Sequence, residues 1–156
     1  MQLKILLTPL KLDYINPEIT DENVPDTGER GECIVKHYGE YLSSEQVLKK
    51  LDNEGLRPVT VHEMLIWADK GWDGKTFVVA LGSVWVASDG DRCVSCLRGA
   101  AGKRHVYLRD LDSGWLKLVR FLAVRKSSAP QTLGTPDLLD RVEKIEKFLG
   151  ANFKGF

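Results

Sequence analysis

Two short apolar runs frame the most unusual part of the hydrophobic and polar pattern. The first covers residues 77–81 and leads into Gly82-Ser83-Val84-Trp85, and the second covers residues 120–125. Each run is short, contains β-branched or aromatic residues and is bounded by turn residues, which is typical of buried strands. The segment between them has no clean helical or strand period. The pattern therefore predicts an irregular, polar surface held by a rigid frame of two strands.

The first part of the chain predicts two further strands separated by a long loop. Residues 3–7 are apolar and end before Pro9, a residue that sheets tolerate at strand ends and edges. Residues 33–38 form a second short run with strand character. Between them, residues 16–31 contain two prolines and several acidic side chains. We expect this stretch to form a surface loop.

Two helices are predicted by capping boxes, in which a Ser or Thr precedes a Gln or Glu by three positions. The first of these signals predicts a helix over residues 44–53, and Thr60 with Glu63 predicts a second helix that ends at Gly71. Both helices carry an apolar stripe, so each is expected to pack on a core.

The end of the chain predicts a linker and a separate helix. Residues 127–134 are small and polar and contain a proline and a glycine, which is typical of a linker. A threonine cap, a proline and an acid then follow in the order expected at a helix N-terminus. We expect a C-terminal helix within residues 135–156, and its apolar stripe would consist of Leu138, Val142, Ile145 and Leu149.

The length of the chain predicts the number of domains, and the distribution of charge suggests one alternative partner. A chain of 156 residues predicts one domain, here residues 1–126, followed by an appended tail. The 22 basic and 22 acidic side chains balance, yet residues 92–126 hold nine basic and two acidic residues, a local net charge of 9 − 2 = +7. His105, Tyr107 and Trp115 are interleaved with this excess, so nucleic-acid binding is one alternative function.

The three cysteines leave a second alternative open. Their odd number argues against a disulfide framework. Cys93 and Cys96 form a C-x-x-C that could be a redox pair or, with Cys33 and His37, part of a zinc site. A second C-x-x-C is missing, so ordinary thiols are the simpler interpretation. No phosphate loop or nucleophile motif is evident. We therefore predict a protein that is not an enzyme and uses no metal or cofactor.

The sequence predicts no membrane span, because no apolar run approaches about 20 residues. The beginning of the chain has one lysine and a very short apolar core, which does not suit a signal peptide. A cytoplasmic location is the resulting expectation.

A strand period is clear in one part of the basic region. His105, Tyr107 and Arg109 alternate with Val106 and Leu108, so the two sets are expected on opposite faces of a strand. If the Val and Leu face is core, the other face meets solvent. Exposed tyrosine and arginine are residue types that anchor interfaces. The alternation therefore predicts a binding surface.

Three motifs resemble one known protein family. They are Ala80–Trp85 (ALGSVW), a lone Trp115, and residues 120–126 (RFLAVRK), preceded by GLRPVT at residues 55–60. In this order and spacing they resemble the variable proteins of diversity-generating retroelements. The resemblance extends over residues 51–126.

The resemblance implies a C-type lectin fold of the kind shared with formylglycine-generating enzymes. We therefore expect the α+β class, with a small, mainly antiparallel sheet, two packed helices and a C-terminal helix. Arg120 and Leu122 depart from the enzyme branch, whose corresponding pattern has glycine and arginine there, so its activity is not implied. In the variable proteins, adenine-directed mutagenesis of selected codons creates a hypervariable surface that binds ligands. The expected partner is a macromolecule, with protein favoured over nucleic acid.

The resemblance also implies a variable region over residues 91–119. Only Lys103, Trp115 and Lys117 in this range fall outside the residues that codons ending in C can encode. The scaffold positions would be Val94, Leu97, Val106, Leu108, Trp115 and Phe121. The candidate ligand-binding positions would be Cys93, Ser95, Cys96, Arg98, His105, Tyr107, Arg109, Asp110, Leu111, Ser113, Leu116, Leu118 and Val119.

Overall fold

The computed structural model of the protein describes residues 1–126, and Met1–Arg125 forms one compact α+β unit. The helices are α1 (Leu3–Leu7), α2 (Ser44–Asn53) and α3 (Val61–Gly71), and a 3-10 turn covers Thr8–Leu10. The strands are β1 (Tyr14–Ile15), β2 (Ile34–Lys36), β3 (Leu56–Pro58), β4 (Val78–Val86), β5 (Arg92–Ala100), β6 (Lys103–Asp110) and β7 (Arg120–Arg125). The predicted linker 127–134 and the predicted C-terminal helix 135–156 lie outside the described residues.

The strands form a single sheet in the order β1-β6-β5-β4-β7-β2, and β3 also pairs with β7. The β1–β6 and β4–β7 pairs are parallel, and the other described pairs are antiparallel. This arrangement confirms the predicted α+β class, with a mainly antiparallel sheet and two packed helices. It adds a short N-terminal helix to that prediction.

Each face of the sheet carries its own apolar core. The first core contains residues of α1 and α3, and the second contains residues of α2 and of the segment 111–119. Strand β5 contributes to both cores, because its alternate side chains point to opposite faces. Cys93 and Leu97 lie in the first core, whereas Val94 and Cys96 lie in the second. The middle of the sheet is therefore covered on both sides.

The two predicted helices have the predicted ends. Ser43 accepts a hydrogen bond from the Gln46 backbone N–H, and the Gln46 side chain accepts one from the Ser43 backbone. Thr60 and Glu63 form the same reciprocal arrangement at the start of α3. These caps satisfy backbone donors that a helix leaves unpaired at its beginning. The helix boundaries follow from this local chemistry.

The predicted strand over residues 3–7 is wrong, because this segment is the helix α1. Leu3 and Leu7 are buried one helical turn apart in the first core, whereas Ile5 between them is 58% exposed. The carboxylate of Asp21 accepts a hydrogen bond from the Leu3 N–H and so satisfies one of the first backbone donors. An apolar run of five residues is too short for its period to separate helix from strand.

The predicted irregular segment between β4 and β7 is also different in the structure. It contains the longest hairpin of the sheet, formed by β5 and β6 with the pairs Cys93↔Asp110 through Ala100↔Lys103. Ala101 and Gly102 connect the strands with φ values of 52° and 77°. Positive φ at both central residues is the requirement of a two-residue type I′ turn. The strand period of β5 was hidden because this strand is buried on both faces.

His62 makes the stability of the fold sensitive to pH. It lies at the start of α3, is 1% exposed, and neither ring nitrogen has a hydrogen-bond partner within residues 1–126. Burial lowers the pKa of His62, with help from Arg30 and the N-terminal amine, while Asp26 and Asp21 act in the opposite direction. The ring is therefore neutral in the folded protein at pH values where the unfolded chain already binds a proton.

The free energy of unfolding should therefore fall as the pH drops below about 6.5, by at most about 1.4 kcal/mol per pH unit. Urea unfolding across the range from neutral to mildly acidic pH measures this slope. His62→Leu should flatten it, and His105→Gln serves as the control, since His105 lies on the other face of the sheet. Equal slopes in all three proteins would contradict the assignment to His62.

Candidate functional site

One face of the β5–β6 hairpin gathers four polar or charged candidate residues. In the antiparallel register Arg98 pairs with His105, Cys96 with Tyr107 and Val94 with Arg109. Paired residues point to the same face, so Arg98 joins the row of His105, Tyr107 and Arg109 that the strand period predicted. We call these four residues the arginine face.

The arginine face borders a shallow depression of about 470 Å³. Tyr14 and Ala100 complete its lining. Tyr14 is brought there because β1 pairs in parallel with the outer edge of β6, with Tyr14 opposite His105. The rings of these two residues meet edge to face with their centroids 6.1 Å apart. The depression is therefore built from three strands rather than from a loop.

Both guanidinium groups of the arginine face lie over aromatic rings. The Cζ atom of Arg98 is 5.3 Å from the Phe77 ring centroid, and that of Arg109 is 5.7 Å from the Trp115 ring centroid. Phe77 and Trp115 are buried, so these rings are rigid platforms. Within residues 1–126, no carboxylate lies within ion-pair distance of either arginine. Both charges are thus positioned without being neutralised.

Tyr107 stands between the two arginines. Its ring is half-buried, and its centroid lies 6.1 Å from that of Phe77. Burial and the proximity of Cys96 raise the pKa of Tyr107, while Arg98 and Arg109 act to lower it. The hydroxyl therefore remains protonated at neutral pH and can donate a hydrogen bond to a ligand.

The segment 111–119 adds apolar surface beside the arginine face. Its Leu111 and Val119 are buried in the second core, and Trp115 pairs with Leu42 through two backbone hydrogen bonds of 2.7 and 3.1 Å. Leu116 and Leu118 instead point outward and are each 50% exposed. Because Trp115 lies directly beneath Arg109, this segment adjoins the strand surface. A leucine pair next to charged groups is a common composition for a recognition surface.

The structure divides the thirteen predicted binding positions into two groups. The first group is exposed or half-exposed and consists of Arg98, His105, Tyr107, Arg109, Asp110, Ser113, Leu116 and Leu118. The second group is buried and consists of Cys93, Ser95, Cys96, Leu111 and Val119. The buried five cannot contact a ligand in this structure, which corrects the expectation for them. They were included because the resemblance and the codon-compatible residue types select positions without regard to whether a side chain points inward or outward.

Two of the exposed positions have a structural role in a turn. The Asp110 carboxylate accepts a hydrogen bond from the Asp112 N–H, and the Ser113 hydroxyl donates to the Asp110 carbonyl. These bonds hold the chain as it leaves β6. Asp110 and Ser113 are therefore less available to a ligand than the leucines that follow.

Three surface contributors were missed by the sequence interpretation. Tyr14 belongs to a two-residue strand that no periodicity could indicate, and Ala100 lies at the hairpin turn. Tyr41 is 63% exposed and lies against Gly114. No local signal marks these residues, because their position depends on pairing between distant parts of the chain.

Within residues 1–126, the three cysteines do not form the redox or zinc site that the alternative interpretation requires. Cys93 and Cys96 are three positions apart on β5, which places their thiols on opposite faces of the sheet. Burial raises the pKa of Cys33 and of Cys93 to about 11 each, and it also raises that of Cys96. Within residues 1–126, no group of three or more His, Cys, Asp or Glu is placed to hold a metal ion.

The basic residues of 92–126 do not form one continuous patch. Arg104 lies on the opposite face of the hairpin from Arg98, where its guanidinium donates to the Leu10 carbonyl and covers the Trp72 ring. Arg92 forms an ion pair of 2.7 Å with Asp112. The local excess of charge seen in the sequence is thus distributed over separate surfaces.

Among residues 1–126, no helix is both long and apolar enough to cross a membrane. No protein-family model, curated protein or solved structure matched this chain.

Proposed function

We propose that this chain is a non-catalytic ligand-binding protein with a hypervariable surface that a retroelement diversifies on a C-type lectin fold. Its ligand is a macromolecule, and a protein is the favoured class. One observation carries this proposal: Arg98, His105, Tyr107 and Arg109 share a face, and the segment 111–119 packs on the same side of the sheet with Trp115 under Arg109.

The scaffold beneath this surface supports the proposal. A surface that accepts many sequences requires a core that does not depend on the variable side chains. Five of the six residues that the resemblance implied as scaffold, Val94, Leu97, Val106, Trp115 and Phe121, are each at most 2% exposed, and the sixth, Leu108, is partly buried against the first core. The exposed residues of the hairpin can therefore change without opening the core. The shallow shape of the depression suits contact with a macromolecular surface better than enclosure of a small molecule.

The proposal predicts a pattern of natural variation in the gene of this protein. Sequencing the same locus in many cells of the source population should show substitutions concentrated at Arg98, His105, Tyr107, Arg109, Leu116 and Leu118. These substitutions should be confined to changes at adenines, whereas β4 and β7 provide the internal control and should stay constant. Uniform sequence over residues 91–119, or equal variation in the control strands, would contradict diversification.

A further inference from the structure

We propose that the arginine face of this variant recognises an acidic segment of its protein partner, with carboxylates taken by Arg98 and Arg109 on either side of Tyr107. This inference rests on the proposed function and names the chemical class of the ligand.

The first step concerns the two guanidinium groups, which are held in place and have no carboxylate partner within residues 1–126. Arginine presents a planar set of N–H donors that matches a carboxylate in a bidentate geometry. Arg98 and Arg109 each lie over a buried aromatic ring, and neither has a carboxylate partner within residues 1–126. Stacking restricts the side chains before a ligand arrives, so less conformational entropy is lost on binding.

The second step is the charge of the depression as a whole. Its lining contains two arginines, a histidine and two tyrosines but no acidic residue. Asp110 at the end of β6 already accepts a hydrogen bond in its own turn. A ligand that enters the depression therefore meets donors and positive charge, and like charges would be repelled.

The third step is the spacing and the surroundings of the positive groups. Arg98 pairs with His105, which lies four positions from Arg109 on β6, about 13 Å along the strand, so carboxylates four positions apart in an extended peptide match the two arginines. Leu116 and Leu118 are exposed in the segment whose Trp115 lies under Arg109, and they offer apolar surface to the same partner. A peptide with both acidic and apolar side chains matches these features. A nucleic acid would leave the leucines unused, and Arg104 on the opposite face could not help to bind it.

The test measures binding of three soluble labelled probes to the full chain by fluorescence anisotropy. The probes are a random copolymer of glutamate and tyrosine, a random copolymer of lysine and tyrosine, and an oligonucleotide of thymidine. We expect the glutamate copolymer to bind most tightly. Arg98→Gln with Arg109→Gln should weaken its binding about tenfold or more, which corresponds to roughly 1.4 kcal/mol.

Two further variants keep the result interpretable. Lys49→Gln with Arg125→Gln removes the same net charge from exposed positions on α2 and β7, and it should change the affinity by less than about twofold. Arg98→Lys with Arg109→Lys keeps the charge but loses the planar donors, so its affinity should lie between those of the wild type and the glutamine variant. Circular dichroism of each variant confirms that the fold is retained.

Three outcomes would overturn the proposal. They are no binding of the glutamate copolymer, equal weakening by the arginine variant and the control, and tighter binding of the oligonucleotide that depends on the two arginines. If the lysine copolymer binds best and Leu116→Ser with Leu118→Ser weakens it, only the acidic preference fails and the binding surface remains. The proposed diversification is tested separately by the pattern of natural variation.

Discussion

Replacing Trp115 with alanine is expected to lower the free energy of unfolding by about 3–5 kcal/mol, because a fully buried indole leaves a large cavity. The indole N–H donates to the Ser44 hydroxyl at 2.8 Å, and this hydroxyl donates to the Leu111 carbonyl at 2.6 Å. The ring also meets Phe121 edge to face at 6.0 Å. One side chain thus connects α2, the segment 111–119 and β7.

The same substitution should loosen the surface that the ligand contacts. Trp115 supports the guanidinium of Arg109, and it precedes the exposed Leu116 in the chain. Urea unfolding measures the loss of stability, and hydrogen exchange of the Leu42 amide reports whether the segment 111–119 has detached, since this amide donates to the Trp115 carbonyl.

A matched control distinguishes the contribution of Trp115 ring packing to stability from that of its hydrogen bond. Ser44→Ala removes only the hydroxyl that links Trp115 to Leu111, and it should lower the stability by about 1–3 kcal/mol. A loss for Trp115→Ala no greater than that for Ser44→Ala would show that packing of the indole contributes little. That result would contradict the role assigned to Trp115 as the support of the candidate surface.

Glu63→Ala is the second substitution with a large expected effect, a loss of about 3–5 kcal/mol in the free energy of unfolding. The Glu63 carboxylate is nearly fully buried and accepts two hydrogen bonds of 2.8 Å from Arg57. It also accepts the Thr60 backbone N–H at 3.1 Å, which caps α3. Burial alone would raise the pKa of Glu63, but the bonds from Arg57 and Thr60 outweigh it, so the pKa is lowered and the carboxylate is charged.

Most of the stability lost in Glu63→Ala is expected to come from the groups that lose Glu63 as their partner. Arg57 would keep its charge in a half-buried position without its principal partner, and the Thr60 N–H would lose its acceptor. Replacing both members, Arg57→Met with Glu63→Met, removes the unpaired charge and should lower the stability by less than the sum of the losses for Arg57→Met alone and Glu63→Met alone. Chemical denaturation of the wild type, Arg57→Met, Glu63→Met and the double variant completes a double-mutant cycle. Additive losses would mean that the two side chains do not interact as the geometry indicates.

Much of the helical structure was evident in the sequence because its signals are local. The capping residues of α2 and α3 lie three positions apart, and the hydrogen bonds that define each helix end form between neighbours in the chain. The alternation of His105, Tyr107 and Arg109 likewise needed only the geometry of one strand. Which of these side chains would contact a ligand, however, depended on the neighbours of that strand.

The sequence-based predictions were wrong for segments whose burial depends on distant parts of the chain. Leu3 and Leu7 form one helical face only because α3 provides a surface for them, and five residues hold too little pattern to predict this. Strand β5 looked irregular because the sheet is covered on both sides, so that Ser95 is buried as completely as Leu97. Its composition therefore could not distinguish positions that face a ligand from positions that face a core.

The sequence by itself determined the α+β class, the ends of α2 and α3, and which residue types were available for a binding surface. Tertiary structure decided that Arg98 joins the row on β6, that Tyr14 reaches it through a parallel pairing, and that five candidate positions are buried. The physical reason is that capping and strand alternation act between neighbouring residues. Burial and charge pairing depend instead on contacts between segments that the chain connects only at long range.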